Sequence, residues 1–385
     1  MNIVKKSAIV ATGLAMFSMF FGAGNVVFPL ALGQIAQDQN FYAILGMLIT
    51  AVGVPFIGLI AMTLFNGDYT QFFDRIGRLP GFLVVLLIMG LIGPFGAIPR
   101  CVVLSYSTVK MLLPDLSLPV FSAISCIIIW LFTIKKNSIL DTLGYVLTPL
   151  LLGSLGLLIV KGLFSGTPAA QTEPNTLAIF LIGLVDGYKT MDLLGAFFFS
   201  SVIIDCLKSG TQSGSTGYKN LMVTTLKSIA IGAPLLALTY IGFSYVASFY
   251  SSELTGVSSD ELIGKLAVHI LGSHAAILAC ITVALACLTT AIALSVVFAE
   301  FLHLDVARNK INYGTSLSIT LVLTFAMSML NFNGISAFLL PILTICYPAL
   351  IMLSLLNIFY KLFDFKPVKI PVLIVFTGSL ILYFT

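Results

Sequence analysis

Eleven long apolar runs, separated by short polar punctuation, leave this chain little choice of fold. They lie near residues 7–32, 41–65, 80–112, 119–134, 140–163, 176–206, 221–250, 266–301, 312–330, 334–360 and 368–384. Crossing a hydrocarbon layer of roughly 30 Å takes about 20 consecutive apolar residues in a helix. The runs are continuous and do not alternate with the period of two that marks the wall of a membrane barrel. An all-α integral membrane protein of about 11 spans is expected. Composition agrees: 59% of the 385 residues are hydrophobic and 9% are charged, with a mean hydropathy of +1.09. A soluble domain carries roughly 25% charged residues. The runs use up the length, so residues 1–385 are read as a single transmembrane domain with no room for a catalytic domain in the loops.

The first run follows Lys5 and Lys6 and continues to Leu32 without a small-residue cleavage site, which makes it a span and not a signal peptide. Placing the N-terminus in the cytoplasm puts Arg75, Arg78, Lys135, Lys136, Lys208, Lys219, Lys227, Arg308, Lys310, Lys361, Lys366 and Lys369 on that side. Only Lys110, Lys161 and Lys265 fall outside, with Asp38, Asp115, Glu173, Glu253, Asp260 and Glu261. This asymmetry sets the orientation, and an odd span count puts the C-terminus outside. The net charge of +4 is too weak and dispersed for a nucleic-acid partner.

Other chemistry is thinly represented. Cys101, Cys126, Cys206, Cys280, Cys287 and Cys346 lie in or beside apolar runs with no C-x-x-C pair, and read as small buried hydrophobes. His269, His274 and His303 make no ligand spacing. The segment SGTQSGSTG at 209–217 lacks phosphate-loop spacing and reads as a linker. The outer loop from Tyr250 to Lys265 suits a short capped helix or lid.

Polar residues and glycines grouped in mid-span break the bilayer rule that every backbone polar group be satisfied internally. Phe20-Phe21-Gly22-Ala23-Gly24-Asn25 lies in the middle of span 1, and Asp186-Gly187-Tyr188-Lys189-Thr190-Met191-Asp192 in the middle of span 6. Glycines also serve close helix packing. Asp186 with Lys189, and Lys189 with Asp192, are three apart and can neutralise each other on a helix. Yet spans 1 and 6 each open a group of five, and an odd number of spans gives two halves of opposite topology. The repeats run over about 7–163 and 176–360, with 368–384 as an extra span. Half-helix N-termini then present free N–H groups to an anion, and half-helix C-termini present carbonyls to an ammonium group or Na+. Span 8 adds Thr289 and Thr290 with the Ala286 carbonyl as oxygen ligands for a cation, although threonines commonly bond back to their own helix. Span 3 carries GPFGAIPR at 93–100, a bent stretch in which Arg100 gates, pairs or snorkels.

FFGAGNVVFP at 20–29, GPFGAIPR at 93–100, GYKTMDLLGAF at 187–197 and ACLTTA at 286–291 together resemble the bacterial branched-chain amino acid:cation symporters. The resemblance runs over essentially the whole chain. It implies a LeuT-type five-plus-five inverted-repeat helical bundle with discontinuous spans 1 and 6, in the bacterial cytoplasmic (inner) membrane. It implies import of leucine, isoleucine or valine, with Na+ as the coupling ion and no other cofactor. Gly22, Ala23, Gly24 and Asn25 would face the substrate carboxylate. Tyr188, Lys189, Thr190, Met191, Asp192 and Leu193 would form the opened part of span 6 toward the amine. A sodium site would use the carbonyls of Ser18, Phe21 and Ala286 and the hydroxyls of Thr289 and Thr290. Arg100 and Asp186 are gating or charge-pairing candidates. The family usually has twelve spans where eleven are counted here.

Phe20, Phe21 and Ile98 are positioned to line an apolar pocket. H+ coupling through Asp186, Lys189 and Asp192 is the alternative to Na+. A membrane-embedded enzyme is disfavoured by the lack of H-E-x-x-H or of a nucleophile with a base. A channel would leave the two broken helices without a role.

Overall fold

The computed structural model describes residues 6–134, 139–169, 171, 175–209 and 218–385. Lys5, Lys135, Lys136, Glu173 and residues 210–217 of the segment read as a linker lie outside them, as do the side chains of Lys6, Cys206, Lys208 and Lys219. Every regular element among the described residues is helical.

Span 1 is two helices, α1 (Lys6–Phe20) and α2 (Ala23–Ala36). Span 2 is α3 (Asn40–Leu48) and α4 (Val54–Leu64), joined by a π-turn at Ile49–Gly53. Pro55 sits just past that turn, which absorbs the backbone donor that proline lacks and keeps the helix continuous. The short α5 (Tyr69–Phe73) is capped by the Asp68 carboxylate. Span 3, expected as one bent run over 80–112, is two helices, α6 (Arg78–Ile92) and α7 (Ala97–Lys110). Gly93, Pro94 and Gly96 supply the interruption.

Spans 4 and 5 are α8 (Leu118–Ile134) and α9 (Ile139–Ser165). Span 6 is again divided, into α10 (Thr176–Lys189) and α11 (Asp192–Ser209), and span 7 is α12 (Tyr218–Phe249). Next comes α13 (Leu262–Leu271), then α14 (Ser273–Phe301), α15 (Tyr313–Ser328), α16 (Asn331–Phe363) and α17 (Lys369–Phe384).

The run expected over 266–301 is therefore split. Gly272, at φ +81°, turns the chain between α13 and α14 in a conformation that a residue with a Cβ resists. Of the loop from Tyr250 to Lys265, residues 250–261 are turns and irregular chain and only 262–265 belong to a helix, α13, whose cap position, Glu261, makes no side-chain capping bond. Asp260 contacts the Ser107 hydroxyl, Lys110 lies 3.6 Å from Glu261, and Gln34 donates to the Leu254 carbonyl at 2.6 Å. These bonds fasten the loop over α2 and α7.

Large apolar side chains such as Phe41 and Leu45 on α3, Ile127 and Leu131 on α8, and Leu373 and Ile381 on α17 are exposed. In water such a surface would aggregate; in a bilayer it is the solvated face. The closest backbone approaches between spans are made at small residues. A Cβ on Gly183 would collide with the Ala43 carbonyl, one on Gly46 with the Phe180 carbonyl, and one on Gly187 with the Thr50 side chain. The Thr50 hydroxyl donates to the Leu184 carbonyl at 2.9 Å, so α3 and α10 meet backbone to backbone. Gly33 lies similarly close to Ser244 of α12. Cys101, Cys280 and Cys287 are buried and Cys126 and Cys346 half-buried, all as free thiols.

Candidate functional site

The breaks in spans 1 and 6 face each other. In span 1 the chain is extended at Gly22 (φ −118°, ψ −169°), and α2 starts at Ala23. Asn25 organises this start: its Oδ1 accepts the Gly22 N–H at 3.1 Å while its own N–H donates to the Gly22 carbonyl at 3.1 Å. The first N–H groups of α2 have no partner one turn back in their helix. Four residues later Pro29, lacking an N–H, leaves the Asn25 carbonyl without its intrahelical donor. The residues between Phe21 and Asn25 thus carry backbone donors and acceptors at the depth where the bilayer offers none.

Span 6 breaks at Thr190 and Met191. Met191 takes φ +63°, a left-handed conformation that costs a residue with a side chain about 1–2 kcal/mol. This turn decides where the charges go. Lys189 pairs with Asp186 at 2.5 Å, as the helical spacing allows. Asp192 lies beyond the turn, so the i,i+3 geometry that would bring it to Lys189 no longer applies, and its carboxylate faces span 1. It accepts from Asn25 Nδ2 at 2.9 and 2.7 Å and from the Tyr240 hydroxyl at 2.9 Å; Asn25 and Tyr240 are also in contact. Asn25 is 2% and Asp192 5% exposed. A carboxylate as the first residue of α11 also sits where the helix dipole favours negative charge.

Arg100 does not snorkel. It is 2% exposed in the first turn of α7, donates from Nη1 to the Lys189 carbonyl at 2.7 Å and from Nη2 to Ser336 Oγ at 3.3 Å. Its guanidinium lies 5.0 Å from the Phe28 ring centre and 5.7 Å from that of Phe332. Spans 1, 3, 6 and 10 are thereby joined at one side chain. The other carbonyls at the end of α10 are also engaged, Gly187 by the Thr190 hydroxyl at 2.9 Å and Tyr188 by the Met191 N–H at 3.0 Å.

A cavity of about 60 Å3, room for a few waters, lies between the breaks. Gly22, Ala23, Gly24 and Asn25 line it from span 1, and Thr190, Met191, Asp192 and Gly195 from span 6, with Arg100 and Thr290 beside them. Phe20 and Phe199 form its apolar wall, their rings 6.1 Å apart edge to face. Of the other residues read from sequence, Tyr188 meets Tyr347 with ring centres 4.7 Å apart and planes tilted by 38°, and Leu193 is fully buried against α4 near Gly58. Ile98 is buried and lies outside the lining. The structure adds Tyr240, Ser336 and Phe199, which sequence reasoning misses. Tyr240 and Ser336 are polar groups in apolar runs, a faint signal shared with many hydroxyls that merely bond their own helix.

Next to this cavity is a smaller one, about 10 Å3, walled by Phe21, Gly22 and Val26 on one side and Ala286, Cys287 and Thr290 on the other. Thr289 and Thr290 both donate to the Ala286 carbonyl, at 2.9 and 3.0 Å. The three oxygens at i, i+3 and i+4 share one helix face. Ser18 lies one turn earlier than Phe21, on α1.

With this geometry in place, the comparisons with known proteins are decisive. Residues 5–384 match the family model described as branched-chain amino acid transport protein. The chain belongs to that family. It is a transport protein and not an enzyme. The branched-chain amino acid permease BrnQ of Bacillus subtilis (strain 168) is 32% identical over 394 aligned residues, which cover 99% of this chain and 86% of the permease. Among solved structures, the inward-facing conformation of Mhp1 matches with a TM-score of 0.67 over 95% of this chain and 78% of that one, at 15% identity. Mhp1, a nucleobase-cation-symport-1 family transporter, in a closed conformation with bromovinylhydantoin bound, gives a TM-score of 0.65 over 99% and 92%, at 14% identity. The fold of this family member is the LeuT-type five-plus-five inverted-repeat bundle with discontinuous spans 1 and 6 that the resemblance implied.

Proposed function

We propose that the chain imports leucine, isoleucine and valine by symport with Na+, through alternating access in the bacterial cytoplasmic membrane, with its N-terminus in the cytoplasm. The observation that carries this reading is the pair of breaks lining one cavity, with the N-terminus of α2 and the Asp192 carboxylate both in its wall. An amino acid needs both poles. Its carboxylate is taken by the α2 N-terminus, where donors and dipole favour an anion. Its ammonium group is taken by Asp192 and by backbone of the opened turn where Thr190 and Met191 line the cavity. The branched side chain lies against Phe20 and Phe199. Valine is smaller by one methylene, a difference of about 1–3 kcal/mol, and leucine and isoleucine differ only in where the side chain branches.

Na+ occupies the small cavity between spans 1 and 8, held by carbonyls of Ser18, Phe21 and Ala286 and by the hydroxyls of Thr289 and Thr290. The two hydroxyls turn from the Ala286 carbonyl to the ion. Substrate and ion then order the same opened stretch of span 1, so each strengthens the binding of the other by the same factor. A bundle that includes the joined half-spans α3 and α10 rocks around this midplane site.

Uptake of radiolabelled leucine into proteoliposomes under a Na+ gradient, a pH gradient, or neither tests the proposal, with isoleucine, valine and alanine as competitors. Na+-driven uptake blocked by isoleucine and valine and spared by alanine is expected. A second reading, H+ symport, is favoured by one observation: the side chains that bond the buried Asp192 carboxylate, Asn25 and Tyr240, are neutral. Uptake that follows the pH gradient and ignores Na+ would select it.

A further inference from the structure

A second cavity, about 540 Å3, opens on the outside of the bundle between α6, α16 and α17. Its walls are apolar. Pro80, Leu83, Val84, Leu87, Ile88 and Leu91 form one stripe of α6 at helical spacing, and Leu350 and Leu353 of α16 face Leu373 and Phe376 of α17 across it. From Pro80 to Leu91 the stripe is about 16 Å long at 1.5 Å per residue. That length is about half of a hydrocarbon core of roughly 30 Å, the depth of one leaflet. Leu83 and Leu373 are more than half exposed, so the groove is open to the bilayer.

Its two ends differ in chemistry. At one end stands Lys369, the first residue of α17, where a cation opposes the helix dipole and free N–H groups add positive potential. Arg75, next to the lining residue Ile76, donates to the Lys366 carbonyl at 3.3 Å, and Arg78 opens α6. Two carboxylates are near in sequence: Asp364 lies 3.9 Å from Lys366, and Asp74 is exposed. Basic residues prevail at this end. The other end closes on Leu91, Leu194 and Tyr347, and Lys369 is the one Lys, Arg, Asp or Glu among the described lining residues.

We propose that the groove binds one anionic phospholipid, an acyl chain along the α6 stripe and the headgroup phosphate at Lys369. Depth, apolar lining and a basic mouth together match a lipid of a single leaflet, and juxtamembrane Lys and Arg attract anionic headgroups. The tail ends against Tyr347, whose ring packs at a tilt on Tyr188 at the end of α10, so a bound lipid buttresses the broken span from outside.

The test uses the full-length carrier, stripped of lipid in detergent and exposed to equal amounts of dioleoyl phosphatidylglycerol and dioleoyl phosphatidylcholine. Native mass spectrometry reads the lipid retained. The wild type is expected to keep one phosphatidylglycerol in preference to phosphatidylcholine, by about fivefold for the one lysine at the mouth. Lys369→Gln, at an exposed position that leaves packing untouched, brings the two lipids to parity. Val84→Trp fills the groove and loses both. Equal retention by the wild type, or an unchanged preference in Lys369→Gln, overturns the proposal. So does a Val84→Trp carrier that keeps its lipid but loses mass as an oligomer, which would assign the groove to a second copy. Should Val84→Trp not fold, Lys369→Gln decides alone.

Discussion

Asn25 Nδ2 lies 2.9 and 2.7 Å from the two carboxylate oxygens of Asp192, so the break of span 1 is bonded directly to the break of span 6. The orientation of the amide is fixed because its Oδ1 accepts the Gly22 N–H. One side chain therefore holds both the start of α2 and the carboxylate that faces it. Asn25→Ala removes a donor to a buried charge, worth about 1.5–3 kcal/mol. Leucine binding, measured by scintillation proximity on purified carrier, is expected to weaken by roughly ten- to a hundredfold. Binding within a factor of two of the wild type would remove Asn25 from the site.

Asp192→Asn keeps the shape and one of the two acceptor oxygens while deleting the charge. If the carboxylate holds the substrate ammonium, leucine uptake falls by roughly tenfold or more, the value of a charge-assisted bond, while the remaining uptake still rises with Na+. A variant that transports leucine normally and has only lost its response to pH would assign Asp192 to proton coupling instead.

The two threonines of span 8 differ in placement, since Thr290 lines the small cavity and Thr289 bonds the Ala286 carbonyl beside it. Replacing either by Ala deletes a neutral oxygen ligand, about 1 kcal/mol. The Na+ concentration for half-maximal uptake is expected to rise by roughly fivefold in each and further in the double variant. An unshifted Na+ titration in Thr289→Ala/Thr290→Ala would refute this cation site.

Arg100 reaches the Lys189 carbonyl and Ser336 with two different nitrogens. A lysine has one nitrogen and no fork. Arg100→Lys is expected to lower the melting temperature and slow uptake, whereas Ser336→Ala, which loses only the longer bond, has a smaller effect. Thermal unfolding followed by tryptophan or dye fluorescence ranks them; a larger loss in Ser336→Ala contradicts the geometry.

Glycines provide a packing control. Gly183→Val places side-chain atoms where the α3 backbone runs, and yields little folded carrier in detergent by size-exclusion chromatography. At Gly153, on α9, a Cβ would meet no described atom within 4 Å, so Gly153→Ala leaves yield and uptake unchanged. Equal yields of the two variants would argue against the close approach of α3 and α10.

Much of the architecture is legible in the chain because the bilayer makes burial of backbone polar groups so costly that apolar run length alone marks the spans. The positions of both central breaks follow from glycine and charge at mid-span. The partners of those charges do not. Spacing allows Lys189 to pair with Asp186 or with Asp192, and only the left-handed turn at Met191 selects the first; nothing in the residue type of methionine announces such a turn. Tyr240 and Ser336 are invisible for a different reason, since their partners lie 48 and 236 residues away along the chain. In span 3 the glycines and proline of 93–100 mark a bend, and at Gly272 a lone glycine marks little; neither says that the helix ends and a new one starts, because hydrophobicity records depth in the membrane but not direction.

The backbone contact of α3 with α10, set by Gly46, Gly183 and Gly187 and bonded by Thr50, has a mechanical consequence. These two half-spans form one strut, with no side-chain layer to shear. Any tilt of α10 therefore carries α3 with it across the seam between the two halves of the chain.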